Sequence, residues 1–188
     1  MDTHIPDHHP LRRLFGTLTE RSFAEALGWP DFRVTEYVSN LLVEFAHIDN
    51  LTRIKDQEGH SLETVVELLY EAERCRQTTE IDKERDVHRH IGDFTLFMAG
   101  LFPEYLNRIK CSRLIHHQDF LVDYVKAGKR SYGIVAQYPE SCAKEPAALF
   151  QTLSTNFELC VAGLGFVRRD LDRMQDPGYR RAKNILLH

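Results

Sequence analysis

The sequence predicts an all-α fold, a single-domain bundle of about six helices. Apolar residues recur at three- and four-residue steps through most of the chain, which is the spacing of an amphipathic helix. No segment of useful length shows the period-two alternation of a half-buried strand. A length of 188 residues allows one well-buried core, and 43% hydrophobic and 28% charged residues are ordinary for a globular domain.

Three segments are expected along the chain. Residues 1–10 form a flexible N-terminal arm, residues 11–176 the all-helical domain, and residues 177–188 a C-terminal tail or a short helix. The arm is rich in histidine and lacks the basic and then apolar pattern of a signal peptide.

The first two helices are separated by a stop signal. The first has an apolar stripe that begins at Leu11, and the Gly-Trp-Pro sequence at 28–30 ends it, because glycine favours a C-terminal cap and proline cannot continue a helix. Asp31 can cap the second helix, whose apolar stripe runs to Leu51.

A polar turn at 54–60 precedes the third helix, for which Ser61 is the predicted cap. The fourth helix begins near Asp82 and runs through the most apolar part of the chain, residues 86–104. Pro103 has no backbone N–H and restricts the residue before it, so this helix is expected to be kinked or broken there.

The last two predicted helices start at Ser112 and at Pro146, and the sixth ends before Asp176. Gly163 and Gly165 lie inside the sixth helix. No strand precedes them, so we interpret them as close-packing glycines and not as a nucleotide-binding loop.

A row of ionisable residues on the fourth helix is the strongest candidate site. Asp86, His90 and Asp93, hereafter the acid–imidazole row, share one side of the helix. Carboxylate and imidazole groups suit Fe, Mn and Zn, none of them preferred here. Glu44 of the second helix and Glu104, next to Pro103, are the further candidate ligands.

A structural role for the row is the alternative. Asp86 with His90, and Arg89 with Asp93, have the four-residue spacing of intrahelical ion pairs. A charged cluster beneath a neighbouring helix can also fix packing without any catalytic role. The sequence leaves both interpretations open.

His117 is a candidate ligand for a different cofactor. It falls on the apolar side of the fifth helix, where it could be an axial haem ligand in an all-helical pocket. The alternative is a hydrogen-bonded core histidine.

Charge and cysteine content limit the partners and the compartment. A formal net charge of −4 does not favour nucleic acid, although residues 168–183 are locally basic and could hold a phosphate or an acidic partner.

The longest apolar run, residues 94–102, is too short to span a membrane. Four scattered cysteines indicate a reduced, cytoplasmic protein.

The leading functional hypothesis is a cytoplasmic binding or scaffold module that self-associates into a homo-oligomer. This hypothesis rests on the excess of large apolar side chains. Phe166, for example, lies off the main apolar stripe of its helix. The alternative is a non-haem, metal-dependent helical-bundle enzyme that acts on a small-molecule ligand held between helices.

Overall fold

The computed structural model describes residues 9–111, 119, 122–139 and 145–187. This described part contains nine α-helices: Pro10–Glu20 (α1), Phe32–Phe45 (α2), Val65–Gln77 (α3), Ile81–Leu101 (α4), Pro103–Cys111 (α5), Tyr124–Val135 (α6), Ala147–Thr155 (α7), Phe157–Met174 (α8) and Pro177–Leu187 (α9). A π-helical segment, Arg21–Ala26, follows α1, and a 3-10 segment, Ile48–Thr52, follows α2. Strands are absent from the described ranges, so the predicted all-α class is confirmed.

The predicted count of about six helices is wrong, because several apolar stripes are divided into shorter helices. Asn156 separates α7 from α8, which the sequence predicted as one helix. Its backbone leaves the helical region at φ −108° and ψ 28°, and its side-chain amide donates to the Thr152 carbonyl at 3.0 Å. An asparagine that bonds to nearby backbone favours such a break. Likewise, α4 ends at Leu101 and α5 begins at Pro103.

Side-chain caps fix where the helices begin. The Asp31 carboxylate accepts hydrogen bonds from the first turn of α2, as the sequence predicted. The predicted Ser61 cap is wrong, since α3 begins after Thr64, which forms a reciprocal capping box with Glu67. The buried Asp119 carboxylate accepts two further backbone N–H groups at the same helix end, both at 2.9 Å.

Helix α4 is the central element of the bundle. It packs against α3, α6 and α8, and nearly every side chain from Val87 to Leu101 is buried. Two of its glycines allow close approach: a Cβ at Gly92 would lie 2.5 Å from the Tyr132 ring, and one at Gly100 would lie 2.4 Å from Leu164 Cβ. The two candidate residues in this part of α4, His90 and Asp93, therefore lie in the core.

Candidate functional site

Two members of the acid–imidazole row are in the core. His90 and Asp93 are buried on α4, and their neighbour Arg89 is partly buried. Burying such groups is unfavourable unless each of them is hydrogen-bonded. The contacts of these side chains therefore decide what the row can do.

Asp93 lies at the centre of a hydrogen-bonded cluster. Its Oδ1 accepts the hydroxyl protons of Tyr37 at 2.6 Å and Tyr132 at 2.8 Å. The Arg89 Nε lies 3.7 Å from Asp93 Oδ2, which confirms the predicted intrahelical pair. The same Nε–H donates to the Tyr37 hydroxyl oxygen at 3.3 Å, so the Tyr37 proton is directed to Asp93. We call Tyr37, Arg89, Asp93 and Tyr132 the Asp93 cluster.

A second carboxylate continues the Asp93 cluster towards the surface. The Arg89 guanidinium donates through both terminal nitrogens to Glu145, at 3.1 Å and 3.0 Å, a paired arrangement that fixes the planar group. The guanidinium carbon also lies 5.6 Å from the centre of the Tyr37 ring. Arg89 thus links α4 to α2 and to Glu145, two residues before α7.

Burial controls protonation in this cluster. It raises the pKa of Asp93, against the opposing effects of Arg89 and the two hydroxyls. Burial and the neighbouring Asp93 charge also raise the pKa values of Tyr37 and Tyr132 well above their ordinary value. Both phenols therefore remain protonated donors at neutral pH.

His90 has a partner on each ring nitrogen. Its Nε2 lies 3.0 Å from the Leu51 carbonyl oxygen, and its Nδ1 lies 3.2 Å from the Arg53 Nε, which donates. A carbonyl can only accept, so the ring proton is on Nε2 and the imidazole is neutral. Burial, helped by the Arg53 charge, lowers the pKa of His90 to about 3. The predicted Asp86–His90 ion pair is wrong.

The remaining predicted ligands lie elsewhere. The Asp86 side chain is 58% exposed beside Arg85, and Glu44 lies at the surface 3.6 Å from Arg53 Nη1. Glu104 pairs with Arg168 of α8 at 3.1 Å. His117 falls outside the described residues, so its predicted role stays untested.

The described residues do contain one group with metal-ligand spacing, at Asp56, Glu58 and His60 in the turn before α3. Glu58 and His60 are exposed there, and the His60 Nδ1 lies 3.3 Å from an Asp56 carboxylate oxygen. No three of Glu44, Asp86, His90, Asp93 and Glu104 form such a group within the described ranges.

The sequence did not identify the partners that complete the interior cluster. Tyr37, Tyr132, Arg53 and Glu145 are not among the candidates that the sequence pattern indicates. One signal was present, since Tyr37 lies on the apolar stripe of α2 and a buried tyrosine hydroxyl usually has a hydrogen-bond partner.

Comparisons with known proteins give no relative for this chain: no family model, curated protein or solved structure matches it. None of its described helices combines the length and the apolar composition needed to cross a bilayer.

Proposed function

We propose that this protein is a binding or scaffold module in which the acid–imidazole row has a structural role. The observation that supports this most is that the two buried members of the row are already engaged by the protein itself. Both nitrogens of His90 and the Oδ1 of Asp93 have hydrogen-bond partners, and Asp93 Oδ2 lies 3.7 Å from the Arg89 guanidinium. A metal ligand or a general base needs a free lone pair directed towards its target. The non-haem metal enzyme therefore becomes the weaker alternative.

Elemental analysis of the protein, purified without a histidine tag, tests this proposal. We expect far less than one Fe, Mn or Zn ion per chain and the same melting temperature with and without a chelator. A stoichiometric metal whose removal lowers the melting temperature would favour the enzyme. Asp56→Asn serves as the control, because it changes the exposed group at 56–60 and leaves the row intact.

Self-association is the second part of the proposal. Phe166 gives it little support, since the Arg169 guanidinium of the same chain lies 4.2 Å from its ring centre. Better support comes from Phe32 at the start of α2 and Tyr70 on α3, which are 76% and 75% exposed. We expect a reversible dimer in sedimentation at high micromolar concentration, weakened by Phe32→Ser or Tyr70→Ser. A strict monomer would contradict this part.

We also propose a reducing, cytoplasmic setting. Cys75 and Cys160 are free and buried, and burial raises the pKa of the Cys160 thiol to about 12, so neither needs an oxidising compartment. Localisation of a tagged full chain by fractionation tests this, and recovery outside the cytoplasm would contradict it.

A further inference from the structure

The π-helical segment Arg21–Ala26 departs locally from ordinary helix geometry. At its end the Leu27 N–H bonds to the Ser22 carbonyl at 3.1 Å, a five-residue step in place of the usual four. The segment packs against α8. Such turns are rare and frequently occur at functional sites.

A cleft of about 380 Å³ opens between this segment and α8. Its volume is in the range of small-molecule sites. Its lining includes Arg21, Ser22, Phe166, Arg169, Asp170 and Arg173. We call it the arginine cleft.

Two of the three arginines of the cleft share one carboxylate, that of Asp170. Arg21 pairs closely with Asp170, and Arg173 lies 3.7 Å from the other oxygen of the same group. Arg169 lies over the Phe166 ring and has no ion pair or hydrogen bond with any described residue. Glu25, the other acidic residue of the lining, leaves an excess of one positive charge.

Ser22 provides an independent indication of a ligand. Its side chain is 2% exposed, it lines the cleft, and its hydroxyl oxygen has no hydrogen-bond partner among the described residues. A buried hydroxyl without a partner is destabilising, so each one needs an explanation. Thr19 has an equally unpartnered hydroxyl but does not line the cleft, which makes it a matched control.

We infer that the arginine cleft binds a small molecule with one anionic head group, a phosphate or a carboxylate, and an apolar part. Arg169 and Arg173 hold the head group, because guanidinium groups match the oxygens of both anions. The Ser22 hydroxyl, buried in the free protein, turns towards the cleft and donates to it, and the apolar part lies against Phe166. This inference is independent of the role of the acid–imidazole row.

Calorimetric titration of the full chain with three aromatic probes tests the site. Phenyl phosphate and benzoate carry the two head groups, and phenol is the neutral control. We expect at least one anion to bind and phenol not to bind, with affinity falling as salt is added. The anion that binds more tightly identifies the head group. If neither anion binds, or if phenol binds equally well, the inference is overturned.

Variants locate the binding within the cleft. Arg169→Gln should weaken binding about tenfold or more, the usual effect of losing a charge-assisted hydrogen bond. Arg180→Gln, which makes the same charge change on α9, should alter it less than about twofold. Equal losses in these two variants would show nonspecific attraction and overturn the site.

Ser22→Ala separates ligand binding from folding. Because the hydroxyl has no partner, its removal should leave the melting temperature of the free protein unchanged or raised, while weakening binding several-fold. Thr19→Val should affect the free protein in the same way and leave binding intact. Unchanged affinity in Ser22→Ala would overturn the site as proposed.

Discussion

The Tyr37 and Tyr132 hydroxyls both donate to one oxygen of Asp93 inside the hydrophobic core. This arrangement ties α2 and α6 to α4 through a single carboxylate. A hydrogen bond to a charged group contributes about 1.5–3 kcal/mol, more than a neutral one. The role of these residues is therefore to fix how three helices meet.

Removal of the two hydroxyls tests this role. Tyr37→Phe and Tyr132→Phe should each lower the free energy of unfolding by about 1.5–3 kcal/mol. The double variant should lose more than the sum, because the second removal leaves Asp93 with neither hydroxyl donor. Denaturant unfolding measures all three values.

Tyr70→Phe is the control for the tyrosine variants, since its hydroxyl is exposed and should contribute less than about 0.5 kcal/mol. Additivity of the Tyr37 and Tyr132 effects would show that the two hydroxyls act independently, against the shared-acceptor account.

Backbone strain at the ends of helices affects the stability of the bundle. Thr79, between α3 and α4, has a left-handed backbone at φ 57°, which is strained for a β-branched residue. Thr79→Gly should therefore raise the free energy of unfolding by about 1 kcal/mol. Chemical denaturation measures the gain. Gln175, which is not β-branched, ends α8 at φ 52°, so Gln175→Gly should raise the free energy of unfolding by less. A lower free energy of unfolding in Thr79→Gly would contradict the predicted strain.

Two glycines of α8 offer a matched test of close packing. A Cβ at Gly163 would lie 2.4 Å from the Phe23 ring, whereas one at Gly165 would meet nothing within 4 Å. Gly163→Ala should lower the free energy of unfolding by about 1–3 kcal/mol through overpacking. Gly165→Ala should raise it by up to about 1 kcal/mol, because alanine favours the helix. Thermal unfolding measures both variants, and equal changes of melting temperature would contradict the close contact between Gly163 and Phe23.

The sequence predicted helices better than their contacts. Asp31 capped α2 as expected, because a cap acts over two or three residues and is visible in the local sequence. The Asp93 cluster was not predictable in this way, since its tyrosines lie 56 and 39 residues from Asp93. The spacing that placed Asp86 beside His90 was correct for one helix, but the first turns of α4 extend beyond the core and leave Asp86 in solvent.

At the scale of the whole molecule, the buried histidines make stability depend on pH. The pKa of His90 is lowered to about 3 and that of His88 to about 4, in both cases mainly by burial, against about 6.5 in an unfolded chain. Below pH 6.5 the unfolded state therefore binds protons that the folded state excludes. The stability due to each neutral ring is complete above pH 6.5 and is lost as the pH falls towards the folded value.

When the pH is lowered from 7 to 5, the lowered pKa of each histidine should reduce the free energy of unfolding by about 2 kcal/mol. Urea unfolding at the two pH values measures the change. The raised pKa of Asp93 opposes this loss of stability as the pH falls. The wild-type protein is therefore compared with His90→Gln, in which the acid-induced loss of stability should be smaller by about 2 kcal/mol. His88→Gln provides the same comparison, and an unaltered loss in both variants would contradict the assignment.

The protonation state of the His90 ring is the most direct test of whether the acid–imidazole row is structural. Nitrogen NMR of the histidine-labelled protein, recorded from pH 7 to pH 5 and with added zinc, measures it. We predict a neutral ring with its proton on Nε2 throughout, unchanged by the metal. A ring that becomes charged near pH 6, or whose nitrogen signals shift when zinc is added, would contradict the account.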